Sequence, residues 1–364
     1  MTEATETTSS DERHAGWAEL FYDLLFVVFI AELAHPLTSH PSWSCGVTLL
    51  VLFLPAWWVW VGSTIYTNLT GEITAERRID VLVQMAILIV LAASAIQAVN
   101  GHPALFACAY AASRLNVIGF RLLVRGKWPT GGANWPLLAS AALWIASAFL
   151  PPPLTYLPWA IALSIEIVPW LRNHATNSQV QQRLISGQIQ PTHLIERFGS
   201  FMIIVLGEAI AQIVAAIAGA GAGLAAVITG LAAFVLVAML WWLYFDFGSA
   251  VAEKTLAARP AEAFRLTRSI FMIGHFPLVV SLVALAAGLG GMITASTRNQ
   301  PDAPSLTLCA IALAIYLVNN AAVGDSPPSN TRSHECCRGS CPTSPCWPSS
   351  AYSAQNYPRS SPCC

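Results

Sequence analysis

The stretch WAELFYDLLFVVFIAELAHPLTS, Trp17 to Ser39, decides the fold. It is long and apolar enough to cross a bilayer as a helix, which takes about 20 residues. It nevertheless carries Glu19, Asp23, Glu32 and His35. A charge at the bilayer centre costs about 2.5–3.5 kcal/mol on insertion scales, so such groups pair, line a wet cavity or mark an ion path. Glu19 and Asp23 are one helical turn apart and share a face. Glu32 and His35 share another face, about half a turn out of phase with the first. A helix with polar groups on both sides is expected at the centre of a bundle.

Nine further stretches have the same apolar character, near 46–66, 79–99, 103–123, 134–150, 154–171, 193–218, 223–247, 268–290 and 305–323. Every backbone polar group must be satisfied inside lipid, so helices are expected throughout. The fold class is therefore all-α: a polytopic membrane bundle of about ten transmembrane helices, its partner the lipid bilayer. Composition agrees, with 55% hydrophobic and only 10% charged residues, against about 25% charged in soluble domains. A net charge of -1 gives no reason to expect a nucleic-acid partner. Residues 1–12 are polar and acidic and form no cleavable signal, so the first span is expected to act as its own insertion signal.

Loop charges set the orientation. Arg13, Arg77, Arg78, Arg121, Arg125, Lys127, Arg172, Arg183, Lys254, Arg259 and Arg265 fall on one side of a ten-span chain, and only Arg298 on the other. By the positive-inside rule the N-terminus is cytoplasmic.

The seventh stretch resembles the first. ELFYDLLFVVFIAE (19–32) and ERFGSFMIIVLGEA (196–209) both open on Glu, have Phe two residues later and carry a second acid near the far end. AWWVWVGSTIY (56–66) is echoed by LWWLYFDFGSA (240–250). Parallel duplication occurs in some transporter folds. The expected organisation is a tail (1–16), a first half of six spans (17–171), a linker (172–192), a second and incomplete half of four spans (193–323), and a segment outside the fold (324–364). That last segment is rich in Ser, Pro and Cys and contains Cys336, Cys337, Cys341, Cys346, Cys363 and Cys364. Its spacings match no zinc pattern. It reads as a disordered tail or as the product of a shifted reading frame. A six-plus-six protein cut after its tenth span would explain the abrupt change.

Four stretches carry a family resemblance: ERHAGWAELFYDLLFVVFIAELAH (12–35), HLIERFGSFMIIVLGEAI (193–210), WWLYFDF (241–247) and GHFPLVVSLVALAAG (274–288). Together they resemble the bacterial low-temperature-requirement A family over about residues 12–323. The resemblance implies a multi-pass protein of the bacterial plasma membrane and supplies no mechanism. It also implies further apolar helix where residues 325–364 turn Ser/Pro/Cys-rich.

The candidate pathway residues are Glu19, Asp23, Glu32, His35, Glu196, Arg197, Glu208 and His275. Glu208, deep in the seventh span beside Gly207, ranks first. With Glu32 it is expected to form an acid pair that shares a proton or small cation. The plainer reading of Glu19, Asp23 and Arg197 is an interhelical ion pair that holds the bundle together. On that reading Asp23→Asn would strand a buried cation. His275 is expected to bond a neighbouring helix. Asp246 and Glu166 rank lower, with Arg114 as a neutralising partner for one of them. Glu32-x-x-His35 and His193-x-x-Glu196 sit at opposite depths and cannot share a metal ion. No catalytic residue, cofactor or metal is expected. The leading function is secondary transport or ion conduction. The alternatives are a structural or stress-response membrane protein and, ranked lowest, an intramembrane metal-dependent enzyme.

Overall fold

The computed structural model describes residues 16–70, 74–125, 135–171, 191–249, 272–298 and 302–324. The chain divides into two units, Met1–Ser326 and Pro327–Cys364, and every described residue lies in the first. Most of the 172–192 linker and residues 325–364, including the six late cysteines, lie outside the described residues.

The described residues form ten α-helices and no strands. They are α1 (Trp17–Ser39), α2 (Trp43–Thr70), α3 (Ala75–Val99), α4 (Ala104–Arg125), α5 (Trp135–Ser147), α6 (Tyr156–Leu171), α7 (Pro191–Gly219), α8 (Leu224–Trp242), α9 (His275–Ser296) and α10 (Ala303–Gly324). A wider π-helical turn, Leu243–Ser249, continues α8. Each helix coincides with one expected span. By length and composition, seven of them are fit to cross a membrane: α1, α2, α3, α7, α8, α9 and α10. Helix α4 is 22 residues long but carries Arg114, Arg121 and Arg125. Helices α5 and α6 have 13 and 16 residues, about 20 and 24 Å at 1.5 Å per residue, short of the ~30 Å hydrocarbon core.

Contacts fix the directions of six of these helices. Asn319 Nδ2 near the end of α10 donates to the Gly274 carbonyl just before α9. Arg77 at the start of α3 donates to Thr67 near the end of α2. Phe198 near the start of α7 meets His275 at the start of α9, ring centroids 4.8 Å apart. Glu19 at the start of α1 reaches Arg197 in α7. Helices α1, α3, α7 and α9 therefore begin at one end of the bundle, where α2 and α10 finish. This places α1 and α7 parallel.

The central helix is α9, which packs on α1, α2, α7, α8 and α10. About four-fifths of its apolar window is buried, 78% against 50% for α1. Helix α1 also packs on four helices, α2, α3, α7 and α9, but does not turn polar groups inward on both sides as expected. Its inner face carries Glu19, Tyr22, Asp23, Phe26 and Ile30 into the core. Its other face, with Phe21, Leu24, Val28, Glu32 and His35, is exposed. Helix α9 reaches the centre because it is small. In AAGLGGM (286–292) a methyl at Gly288 would lie 2.6 Å from Cys309 Sγ and 3.0 Å from the Ser305 carbonyl, and one at Gly291 would run into Ser305 Oγ. In lipid, apolar surface gives helices little drive to associate, so close backbone approach and polar contacts hold α9 to α10.

Two aromatic clusters fill the rest. Trp57 and Trp60 of α2 stack at 5.2 Å and contact Phe198 and Phe201 of α7. Trp144 of α5 stacks on Trp159 of α6 at 4.6 Å and lies 4.2 Å from Tyr110 of α4. In sequence order, α1 packs on α2 and α3, and α3 on α4; likewise α7 packs on α8 and α9, and α9 on α10.

Candidate functional site

Three helix segments converge in the core at the end where α1 and α7 begin, two of them bringing charge. From α1 come Glu19 and, one turn deeper, Asp23. From α7 come His193 and, one turn deeper, Arg197. From α2 come Trp60, Thr64 and Asn68, spaced so that they share one face. All seven side chains are buried, with Asp23 0% and Arg197 1% exposed.

Arg197 is the hub. Its Nη1 lies 2.8 Å from Glu19 Oε1. Its Nη2 donates to Asp23 Oδ1 at 3.1 Å, and its Nε donates to Thr64 Oγ1 at 3.1 Å. Asp23 Oδ1 also accepts from Trp60 Nε1 at 2.7 Å. A planar guanidinium suits this work, since its donors fan out toward three side chains on two helices at once. Glu19 has further partners: its Oε2 accepts the Gly16 amide at 3.1 Å, capping α1, and lies 3.4 Å from His193 Nε2. Asn68 Nδ2 sits 3.1 Å from His193 Nδ1. With the Asn68 amide donating, Nδ1 accepts and the ring proton lies on Nε2, facing Glu19. That tautomer follows from the assigned amide orientation.

Two carboxylates share one guanidinium. With both acids ionised and His193 neutral, the cluster carries one negative charge. A buried site of low dielectric holds uncompensated charge poorly. One proton, on His193 or a carboxyl, or one monovalent cation brings the cluster to neutrality. Neutrality of the cluster therefore requires one positive charge beyond that of Arg197.

The sequence-derived candidates separate into two groups. Glu19, Asp23 and Arg197 come together as the ion pair expected of them, in a form tighter than expected because both acids share the arginine. Asp23→Asn therefore leaves Arg197 paired with Glu19, which corrects the expectation of a stranded cation. Glu32 and His35 lie on the exposed stripe of α1, and Glu196 is exposed on α7. Glu208 is half-buried and accepts from Gln212 Nε2 at 3.2 Å within α7. Gly207 beside it is exposed, with no other atom within 4 Å of a built methyl. His275 is buried and bonds Tyr244 Oη of the turn after α8 at 2.7 Å, the helix-to-helix bond expected of it. Asp246 is exposed. Among the described residues, no three His, Cys, Asp or Glu side chains are grouped to hold a metal ion.

Sequence reasoning missed Trp60, Thr64 and Asn68. Polar Thr64 and Asn68 recur on the Trp57–Trp60 face of an otherwise apolar α2, and that stripe was a legible signal. Two other buried networks were also partly missed. Arg77, counted as a loop charge, is 8% exposed. It pairs with Asp80, donates to Thr67 at 3.1 Å and lies 4.6 Å from the Tyr66 ring. Asn116 of α4 donates to Asp80 at 2.8 Å. In the second network, Arg114 Nε of α4 lies 3.4 Å from Glu166 Oε2 of α6, and Tyr110 Oη donates to the same oxygen at 3.2 Å. Of Asp246 and Glu166, one of which Arg114 was expected to neutralise, it is Glu166 that it meets.

Comparison with known proteins adds a family. A family model described as "Bacterial low temperature requirement A protein (LtrA)" matches residues 14–345. The match runs past α10 into the Ser/Pro/Cys-rich segment. The chain is also 26% identical over 292 residues to the "Uncharacterized protein RA0937" of Rhizobium meliloti (strain 1021), covering 77% of this chain and 70% of that one. No solved structure matches.

Proposed function

We propose that this chain, which belongs to the bacterial low-temperature-requirement A family, moves protons or small monovalent cations through the helix bundle. One observation carries the reading. Glu19 and Asp23 share the single guanidinium of Arg197 in a buried site, with His193 at its edge. A purely structural ion pair is neutral by itself. This cluster reaches neutrality only with one more positive charge, and a group that gains and loses such a charge inside a membrane is what a conduit needs. Glu208 lies eleven residues beyond Arg197 on α7, roughly 16 Å along the axis, and serves as the outer station. The reading has the protein carry a charge and not catalyse a reaction.

Purified protein in liposomes loaded with a pH-sensitive dye tests it. The parent should dissipate an imposed proton or potassium gradient. Asp23→Asn keeps shape and the Trp60 bond but leaves the cluster neutral, and should lose most of that flux while inserting normally. Glu208→Gln should also lower it. A silent parent, or full flux in both variants, would favour the structural reading.

We also place the chain in the bacterial plasma membrane with its N-terminus in the cytoplasm. The basis is the arginines at the end where α1 begins, including Arg77, Arg78 and Arg121. A cysteine introduced at Asn100, between α3 and α4, should react with an impermeant thiol reagent added to intact cells carrying an otherwise cysteine-free chain. A cysteine at Gln181 should be protected. The opposite pattern would reverse the orientation.

A further inference from the structure

The cluster around Arg197 is graded in burial. Asp23 and Arg197 are 0% and 1% exposed, while Glu19 and His193 are 5% and 4% exposed. His193 is the third residue of α7 and stands one turn nearer the end of the bundle than Arg197. Exchange with the aqueous phase therefore begins at His193 and Glu19. Around His193 stand Glu19 and, one turn deeper, Asp23 on α1. Uncharged Asn68 and Thr64 come from α2, and Arg197 and exposed Glu196 from its own helix. His275 of α9 is engaged with Tyr244 at 2.7 Å, and Asp246 in the turn after α8 is exposed.

Both ring nitrogens of His193 have a neighbour. Nε2 lies 3.4 Å from Glu19 Oε2, and Nδ1 lies 3.1 Å from Asn68 Nδ2. A neutral imidazole asks for one acceptor and one donor, an imidazolium for two acceptors. Glu19 accepts from Nε2–H in either state. Asn68 suits both states at Nδ1, because turning its amide over exchanges the NH2 donor for the carbonyl acceptor. A side chain with a donor alone, or with neither group, would favour one state of the ring.

The surroundings of the two acids suit a proton better than a metal ion. Hard cations are held by shells of oxygen ligands, whereas these carboxylates are met by N–H groups. Gly16 donates to Glu19 Oε2 at 3.1 Å, and Trp60 and Arg197 donate to Asp23 Oδ1 at 2.7 and 3.1 Å. Thr64 Oγ1 is likewise turned to Arg197 Nε at 3.1 Å. We propose that the positive charge balancing this cluster is a proton taken up by His193, with Glu19 as its counter-ion and Asn68 as the residue that positions the ring. Uptake adds a proton from the aqueous phase at Nδ1, whose N–H then donates to Asn68 Oδ1. Release returns that proton, or passes the one on Nε2 to Glu19. This rests on the conduit reading for its purpose, which makes His193 the loading group at this end of the bundle.

Nitrogen NMR of the parent protein in lipid nanodiscs, with isotope-labelled histidine, tests it. The His193 signals are those missing from His193→Gln. At about pH 9 the ring should be the Nε2–H tautomer, and by about pH 5 both nitrogens should carry hydrogen. A ring that stays neutral over that range in folded protein overturns the proposal. So does a charged fraction that falls severalfold when choline in the buffer is replaced by sodium or potassium, because a metal ion then displaces the proton. Glu19→Gln should lower the charged fraction at mid-titration severalfold, since an opposite charge favours the charged ring; an unchanged fraction removes Glu19 as counter-ion. Asn68→Leu should give a mixture of Nδ1–H and Nε2–H tautomers in the neutral ring. A single Nε2–H tautomer in that variant removes Asn68 from its positioning role. In liposomes His193→Gln should lose most of the proton flux, and flux equal to the parent's overturns the loading role. A silent parent whose His193 titrates as stated rejects the conduit reading alone.

Discussion

Replacing Arg197 by Gln should destabilise the folded protein by about 3–5 kcal/mol, the cost of leaving a buried charge without its partner. The expected loss is at the upper end, because two carboxylates, Glu19 and Asp23, lose one cation together. Glutamine retains a donor for Thr64 or Asp23 but cannot serve Glu19, Asp23 and Thr64 together. Thermal unfolding in detergent, followed by tryptophan fluorescence, reads the effect. The triple change Arg197→Gln, Glu19→Gln, Asp23→Asn removes every formal charge and should recover much of the loss. Asp23→Asn alone should cost far less, since Arg197 keeps Glu19 at 2.8 Å. Equal losses in Arg197→Gln and in the triple variant would show that shape, not charge, holds α1 to α7.

The Arg114–Glu166 pair should behave differently, because it is neutral as a pair. Arg114→Met should destabilise by about 3–5 kcal/mol by stranding Glu166, and Glu166→Leu should do the same by stranding Arg114. The double replacement should fall well short of the sum and approach the parent. Buried ion pairs exchanged for apolar residues of similar size are often neutral or stabilising. A double-mutant cycle gives the coupling directly. Additive losses would mean that the two groups do not depend on each other, and would leave the 3.4 Å contact without energetic weight.

The contrast between these clusters shows how far the sequence reached. Apolar runs about 20 residues long, in a medium where only helices satisfy the backbone, determined an all-α membrane bundle and located all ten helices. The spacing of Glu19 and Asp23 put both on one face of α1, and the charge of Arg197 at the matching end of a parallel span made it their natural partner. Those are one-dimensional facts, because helix period and span depth are set by chain position alone.

Which face of a helix turns inward is not set that way. Glu32 and His35 carry as much chemistry in the sequence as Glu19 and Asp23, yet the fold turns them out and turns the other two in. Neighbours decide this: α2 offers Trp60, Thr64 and Asn68 to the inner face, and no described contact meets the outer one with an equivalent set. Glycines at 288 and 291 let the backbones of α9 and α10 approach closely, and only packing shows which helix fills that groove. Arg77 looked like a loop charge because Thr67 of α2, which accepts from it, and Asn116 of α4, which bonds its helix partner Asp80, reach it only through tertiary packing. The meeting of Arg114 with Glu166 is a fact of space alone. Helix α5 packs on both α4 and α6 and so sets them side by side, and that arrangement depends on how side chains from separate parts of the chain fit together, not on chain position.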